Sequence, residues 1–156
     1  MLIGRGYMRI DEINKKILYL LQKDARMTYK DIARELNRSE STVRDRMAIL
    51  EEQGVIKSYS AIIDKEKVGL NCNARISAKV DPSNLGHHMK ELQKIEVIYQ
   101  IDQMSGNHNL QFSVAAKDYD HLTSILKEQI SPIGIKNIEI NIIMNSVKEE
   151  GPIQIP

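Results

Sequence analysis

The spacing of apolar residues changes at Gly54, and that change limits the folds open to this chain. Up to Gly54, apolar residues recur at helical spacing. The first helical set stands at i, i+4, i+7 and i+8 and comprises Ile13, Ile17, Leu20 and Leu21. Beyond Gly54, short apolar segments alternate with polar residues, as strands do. The sequence therefore predicts a helical N-terminal part and a mixed α and β C-terminal part.

Composition narrows the class of protein. The chain is 42% hydrophobic and 28% charged, which is typical of globular proteins. Its 156 residues are enough for one ordinary domain or two small ones. Cys72 is the single cysteine, so no internal disulfide is possible and we expect a reducing, cytoplasmic location. No apolar stretch approaches the roughly 18 residues that span a bilayer, so we expect no membrane partner.

The N-terminal part reads as three helices. Asp11 is placed to cap the first helix, Thr28 to cap a second over Tyr29–Leu36, and Ser39 to cap a third. The apolar face of the third helix consists of Val43, Met47 and Leu50. Two short helices joined by a few residues and preceded by another form a helix-turn-helix arrangement.

The outward face of the third helix carries small hydroxyls and arginines, which fit a DNA major groove. The predicted DNA-binding residues are Arg38, Ser39, Ser41, Thr42, Arg44 and Arg46. Up to Ile63 the chain holds twelve basic and nine acidic residues, a small excess that favours an anionic partner. The alternative is an ordinary solvated amphipathic helix. Asp45 opposes DNA binding unless it pairs with Arg44 or Arg46.

Residues 55–63 are rich in β-branched and aromatic side chains and predict a strand, in which Lys57 and Tyr59 face either the DNA backbone or solvent. Residues 64–69 are polar and end in glycine, as linkers do. The predicted divisions are an extension (1–9), a winged-type helix-turn-helix domain (10–54), a strand and linker (55–69), a sensing and oligomerisation domain (70–150) and a tail (151–156).

The C-terminal part reads as β-α-β-β-α-β. Strands are predicted at 74–80, 97–104, 109–116 and 135–147, with one helix opened by Pro82 and another capped by Asp118. Helices on one face of an antiparallel sheet make a ferredoxin-like α+β sandwich. RNA-binding sheets of this order carry stacking aromatics, and here the first and third strands hold only Phe112.

The sequence indicates no catalytic site, metal site or cofactor, so we expect no enzyme. His87 and His88 are adjacent and point about 100° apart on a helix, so they cannot share a metal ion. Cys72 has no nearby histidine to activate it.

Taken together, the chain resembles the Lrp/AsnC family of prokaryotic transcriptional regulators from Ile10 to Glu150. The most similar stretches are DEINKKILYLLQKD (11–24), YKDIAREL (29–36), SESTVRDRMAILEEQGVIK (39–57) and YSAIIDKEKVG (59–69). The resemblance implies homodimers that join into tetramers or octamers and read double-stranded DNA with paired helix-turn-helix units. It also implies that many members bind an amino acid between dimers.

The resemblance places part of an effector pocket in the loop between the second and third sensor strands. That loop is Ser105, Gly106, Asn107, His108 and Asn109. The family pattern has Asp where Asn107 and Asn109 stand, so the charge-assisted bond to an ammonium group is lost. Either amino-acid sensing is lost or a different effector binds, with His108 as a group that meets a carboxylate or titrates near neutral pH. The alternative is a plain hairpin turn.

Three functions remain open at this point. The first is a sequence-specific transcriptional regulator modulated by an amino acid or other small-molecule effector. The second is an architectural protein that wraps DNA without effector control. The third is a metabolic enzyme or chaperone subunit with a ferredoxin-like sensor, which DNA binding would exclude.

Overall fold

The computed structural model describes residues 10–149 and 151–156. They form two compact units. The first contains the described residues up to Ile62 together with those from Lys148 onward, and the second is Ile63–Val147. The predicted extension, residues 1–9, lies outside the described residues.

The first unit contains three helices, as predicted: α1 (Glu12–Lys23), α2 (Tyr29–Leu36) and α3 (Glu40–Glu52). Each begins at a side chain that accepts a hydrogen bond from a backbone N–H three residues ahead, which satisfies a donor that the first turn leaves unpaired. The Asp11 Oδ1 accepts the Asn14 N–H at 2.8 Å, the Thr28 Oγ1 accepts the Asp31 N–H at 3.1 Å, and the Ser39 Oγ accepts the Thr42 N–H at 3.1 Å.

The helices of the first unit pack around one apolar core. Ile17, Ile32, Val43 and Leu50 are fully buried in it. The turn between α2 and α3 passes through Asn37 in the left-handed region, at φ 49°. A residue that tolerates this conformation lets the chain turn within the three residues, 37–39, that separate α2 from α3.

The prediction of a strand over residues 55–63 is wrong. Within the described residues the four paired strands all lie in the second unit, and residues 55–63 join none of them. A strand requires a neighbouring chain to pair with, and β-propensity alone does not supply one. Ile62 and Ile63 remain 76% and 55% exposed.

The second unit is a four-stranded antiparallel sheet with helices packed on one face. Its elements in chain order are β1 (Cys72–Ala78), α4 (Pro82–Leu92), β2 (Ile98–Gln103), β3 (Leu110–Ala116), α5 (Tyr119–Ile125) and β4 (Ile138–Ile142). The strand order is β2-β3-β1-β4, so the two central strands are those that open each β-α-β half. This is the ferredoxin-like sandwich that the sequence predicts.

The core of the second unit lies between sheet and helices. Ile76 pairs with Phe112 across the central strands, and both are fully buried beside Leu122 and Ile125 of α5. A π-helical turn at Leu126–Ile130 and a 3-10 turn at Ser131–Ile133 extend α5.

The final strand is shorter than predicted. The sequence predicts a strand over residues 135–147, but β4 covers only Ile138–Ile142. Asn137 at φ 52° interrupts extended backbone just before it, and the ladder with β1 ends at the Ala74–Ile142 pair. Beyond this pair, Met144 and Val147 are 90% and 94% exposed. No helix within the described ranges is both long and apolar enough to cross a membrane.

Candidate functional site

The N-terminus of α3 presents a cluster of hydroxyl groups. The Ser39 Oγ accepts the Thr42 N–H and lies 2.9 Å from the Ser41 Oγ and 2.7 Å from the Thr42 Oγ1. Ser39 is therefore engaged in capping the helix, and it holds the other two hydroxyls at the first turn. Ser41 is exposed and Thr42 is half-buried. Hydroxyls at a helix N-terminus suit contacts with phosphates or base edges.

Arg44 is the most outward arginine of α3. Its guanidinium donates to the Glu40 Oε1 at 3.0 Å, one turn earlier, and lies 5.3 Å from the centre of the Tyr29 ring. The Arg44 side chain remains 62% exposed. An exposed pair of this kind holds the side chain weakly, so Arg44 is free to exchange Glu40 for another acceptor.

Arg38 stands at the turn before α3. Its guanidinium donates to the backbone carbonyl of Asn37 at 3.3 Å, and the residue is exposed. Its position beside the hydroxyl cluster suits a backbone phosphate, which any sequence offers.

Arg46 points to α1. Its Nη1 donates to the Asp11 Oδ2 and, at 3.2 Å, to the Asn14 Oδ1. The Arg46 side chain is only 29% exposed, and Asn14 is 3% exposed. The Arg46 hydrogen bond, followed by that of the Asn14 backbone N–H, lowers the pKa of Asp11. Arg46 thus joins the start of α1 to the middle of α3.

The two arginines near Asp45 in sequence pair with other carboxylates: Arg44 pairs with Glu40 and Arg46 with Asp11. Asp45 is exposed. It therefore places an acidic side chain next to Arg44 on the outward face. A negative charge at this position disfavours close approach of phosphate and favours a base donor such as a cytosine amino group.

Tyr59 anchors the segment that follows α3. Its hydroxyl donates to the Glu51 Oε1 at 2.7 Å, and burial together with this carboxylate raises the pKa of Tyr59. From the sequence, Tyr59 is expected to face either the DNA backbone or solvent, and its contact with the end of α3 is not predicted. The eight-residue separation from Glu51 carries no periodic signal that would reveal it.

The loop between β2 and β3 is a closed hairpin. The Met104 N–H donates to the Asn109 carbonyl at 2.9 Å, and Gly106 has φ 112°, a conformation that favours glycine. The space around Gly106 is open: a Cβ built there has no heavy atom within 4 Å. The backbone of the loop is thus accessible to a small molecule.

The Asn109 side chain already forms hydrogen bonds within the protein. Its Oδ1 accepts the Val80 N–H at 2.8 Å and its Nδ2 donates to the Val80 carbonyl at 2.7 Å. The side-chain amide thereby continues the β1–β3 ladder beyond the Ala78–Leu110 pair. An aspartate offers no donor for the Val80 carbonyl, so asparagine has a structural reason to stand here.

The remaining loop residues, Ser105, Asn107 and His108, are exposed. The His108 Nε2 lies 3.8 Å from the Glu139 Oε2 of β4, an ion pair when the imidazole is protonated. The loop therefore offers backbone amides, a neutral side-chain amide and an imidazole next to a carboxylate.

Metal-binding and nucleophilic groups are dispersed. Among residues 10–149 and 151–156, no three His, Cys, Asp or Glu side chains stand close enough to hold a metal ion. The rings of His87 and His88 are tilted at 5.8 Å between centres. Cys72 is buried in β1, and burial raises the pKa of its thiol, which keeps it protonated.

Two known families match the chain, one in each part. Residues 10–57 match a winged helix-turn-helix DNA-binding family, and residues 73–153 match the Lrp/AsnC ligand binding domain. The matches leave residues 58–72 between them. They place α1 to α3 in a DNA-binding module and the four-stranded sheet in a ligand-binding module.

Similar proteins are named as regulators. An uncharacterized HTH-type transcriptional regulator of Pyrococcus horikoshii is 36% identical over 145 residues, 92% of this chain and 91% of that protein. The regulator LrpA of the same organism is 32% identical over 140 residues, 89% of this chain and 99% of LrpA. The regulator Ptr1 of Methanocaldococcus jannaschii is 28% identical over 141 residues, 90% of this chain and 95% of Ptr1.

Solved structures share the fold. Escherichia coli AsnC superposes with a TM-score of 0.85 at 19% identity, covering 94% of this chain and 99% of AsnC. A Neisseria meningitidis regulator in complex with L-Met superposes with a TM-score of 0.84 at 17% identity, covering 94% of this chain and 96% of that one. With both domains in this order, the chain belongs to the Lrp/AsnC family of transcriptional regulators, with a helix-turn-helix DNA-binding domain and a ligand-binding domain.

Proposed function

We propose that this regulator binds a specific operator through the N-terminal half of α3. The observation that carries the proposal is the cluster of Ser41, Thr42 and Arg44 on the outward face of a capped helix whose opposite face is buried. Arg44 suits the edge of guanine, the hydroxyls suit bases or phosphates, and Arg38 suits a phosphate. Ser39 and Arg46 have supporting roles, because one caps α3 and the other ties it to α1.

The active form that we propose is a homodimer, which assembles further into tetramers or octamers. The segment after α3 supports the dimer: its exposed Ile62 and Ile63 are β-branched, as strand residues often are, and pair with no strand among residues 10–149 and 151–156. A second copy of the same segment supplies the missing partner, as edge strands do when they meet. Two helix-turn-helix units then read successive major grooves of a pseudo-palindromic operator. Access to chromosomal DNA requires a cytoplasmic location.

The proposed effector site is the loop between β2 and β3. Support comes from the open space around Gly106 and from the exposed Ser105, Asn107 and His108. Because Asn109 pairs with the Val80 backbone, it orders the loop and is not a contact for the effector. The effector that fits is an amino acid or another small molecule whose ammonium group, if present, meets a neutral oxygen. Its carboxylate meets His108 or a backbone N–H.

The test is fluorescence anisotropy with the duplex upstream of the protein's own gene, against a scrambled duplex, at stated salt. A specific regulator binds the first roughly 10³-fold or more tightly. Pooled amino acids are added to each arm, and fractionation of an active pool identifies the effector. Equal affinity for both duplexes favours an architectural protein without effector control, and absence of binding to either refutes the proposal.

Arg44→Ala is the variant that tests the placement of α3. Loss of a bidentate contact with a base costs about 1–3 kcal/mol of discrimination, so operator affinity falls by roughly five- to 150-fold. The matched control is Arg38→Ala, which weakens operator and scrambled duplex alike because it removes a phosphate contact. Unchanged affinity of Arg44→Ala would show that another face of α3 meets the DNA.

A further inference from the structure

The C-terminal tail, residues 151–156, lies against α1 of the DNA-binding unit. The Gln22 side chain holds it by two reciprocal hydrogen bonds. The Gln22 Oε1 accepts the Ile153 N–H at 2.8 Å, and the Gln22 Nε2 donates to the Ile153 carbonyl at 3.3 Å. A side-chain amide that satisfies both backbone groups of one residue acts as a neighbouring strand residue would.

Apolar packing adds to these hydrogen bonds. Ile155 is half-buried and packs against the core of the first unit, whereas Ile153 two residues earlier is 71% exposed. The tail reads Gly-Pro-Ile-Gln-Ile-Pro, so a proline stands on each side of the contact. Prolines reduce the conformations of the free chain, and the entropy lost when the tail docks is correspondingly small.

The tail belongs to the part of the chain that returns to the DNA-binding unit. The chain leaves the DNA-binding unit after Ile62, forms the whole ligand-binding unit, and returns at Lys148. The ligand-binding unit is therefore joined to the DNA-binding unit at both of its ends. Residues 143–149 form no helix or strand, and the tail that follows them contacts α1.

The helix that receives the tail also supports the recognition helix. Gln22 lies in the last turn of α1, and Asp11 and Asn14 at the start of α1 receive the hydrogen bonds of Arg46 from α3. A rigid helix connects these two contacts. Displacement of the tail thus removes a restraint from the element to which α3 is tied.

We propose that the tail is a clasp, in which Gln22 and the Ile155 contact hold the returning end of the chain on α1, and that operator affinity depends on the clasp being closed. This proposal rests on the proposed function. A DNA-binding unit held at two points loses less freedom when it docks on DNA than a unit held at one, and preorganisation of this kind increases affinity.

A matched pair of variants tests the clasp: Ile155→Ser removes the packed side chain, and Ile153→Ser makes the same chemical change at the exposed position. Hydrogen exchange in the full-length protein reports the clasp directly. We expect faster exchange of the tail and of the last turn of α1 in Ile155→Ser, with wild-type exchange in Ile153→Ser. Gln22→Ala, an exposed change that leaves the core of α1 intact, should reproduce the Ile155→Ser result.

The functional readout is affinity for the upstream duplex. We expect Ile155→Ser and Gln22→Ala to bind at least fivefold more weakly than wild type, and Ile153→Ser to bind within twofold of it. Circular dichroism at the assay temperature verifies that each variant is folded. If tail exchange rises while affinity stays at the wild-type value, the tail only covers α1 and the clasp is refuted. Equal weakening by Ile153→Ser and Ile155→Ser also refutes it. Failure of the wild type to bind any duplex refutes the proposed function instead, and hydrogen exchange then still decides whether the tail is docked.

Discussion

Replacement of Arg46 by alanine separates a residue that supports the DNA-binding helix from one that contacts DNA. Arg46 donates to Asp11 and to Asn14, and Asn14 is 3% exposed. In Arg46→Ala the buried Asn14 Oδ1 loses its partner, and an unsatisfied buried acceptor costs about 1–3 kcal/mol. The pair with Asp11, whose side chain is 47% exposed, adds only about 0–1 kcal/mol.

The expected result is therefore a loss of about 1–4 kcal/mol of unfolding free energy, concentrated in α1 and α3. Arg44→Ala is the matched control, since it removes an exposed one-turn pair worth about 0.3–0.5 kcal/mol. Native-state hydrogen exchange measures both variants locally. Because about 1.4 kcal/mol is a factor of ten, protection of the α1 and α3 amides should fall at least fivefold in Arg46→Ala.

Two outcomes would refute this reasoning. Unchanged protection in Arg46→Ala would show that the contacts with Asp11 and Asn14 contribute nothing to the unit. Weaker operator binding with unchanged protection would show that Arg46 reaches the DNA itself. In that case Arg46 is a DNA-binding residue, as the sequence predicts.

Two further predictions concern the effector loop and acid stability. Asn109→Asp, which restores the acidic residue of the family pattern, removes the donor to the Val80 carbonyl and sets a carboxylate against it. It should lower the stability of the ligand-binding unit by about 1–3 kcal/mol, and a rise or no change in its melting temperature contradicts the assigned role of Asn109. Because Arg46 lowers the pKa of Asp11 below its ordinary value of 3.8, the contribution of Asp11 is present above that value and is lost as pH falls through the lowered pKa. Acid titration followed by circular dichroism should show this loss in wild type and a smaller loss in Arg46→Ala, and identical acid profiles would contradict it.

Exposed apolar residues support the proposal that the regulator is an oligomer. Ile62 and Ile63 follow α3 without strand partners among the described residues, and Met144 follows β4 with 90% of its surface exposed. Exposed apolar patches mark contact sites for other molecules in many soluble proteins. The proposed dimer covers the first of these sites, and sedimentation of the full-length protein measures its assembly.

Local chemistry explains why the helices were predictable. Asp11, Thr28, Ser39 and Asp118 each bond a backbone N–H within three residues, so the sequence alone determined where four helices begin. Periodicity likewise identified most of the buried residues, because the side of a helix or strand that an amino acid occupies depends only on its spacing. The order of elements then determined the ferredoxin-like arrangement.

Tertiary structure decided which polar groups meet across the fold. Arg46 finds Asp11 at a separation of 35 residues, Asn109 finds Val80 at 29, and Gln22 finds Ile153 at 131. Periodicity predicts the direction of a side chain from its own element and contains nothing about the distant chain that will receive it. The same reason explains the segment 55–63, whose residues favour a strand but pair with no strand among the described residues.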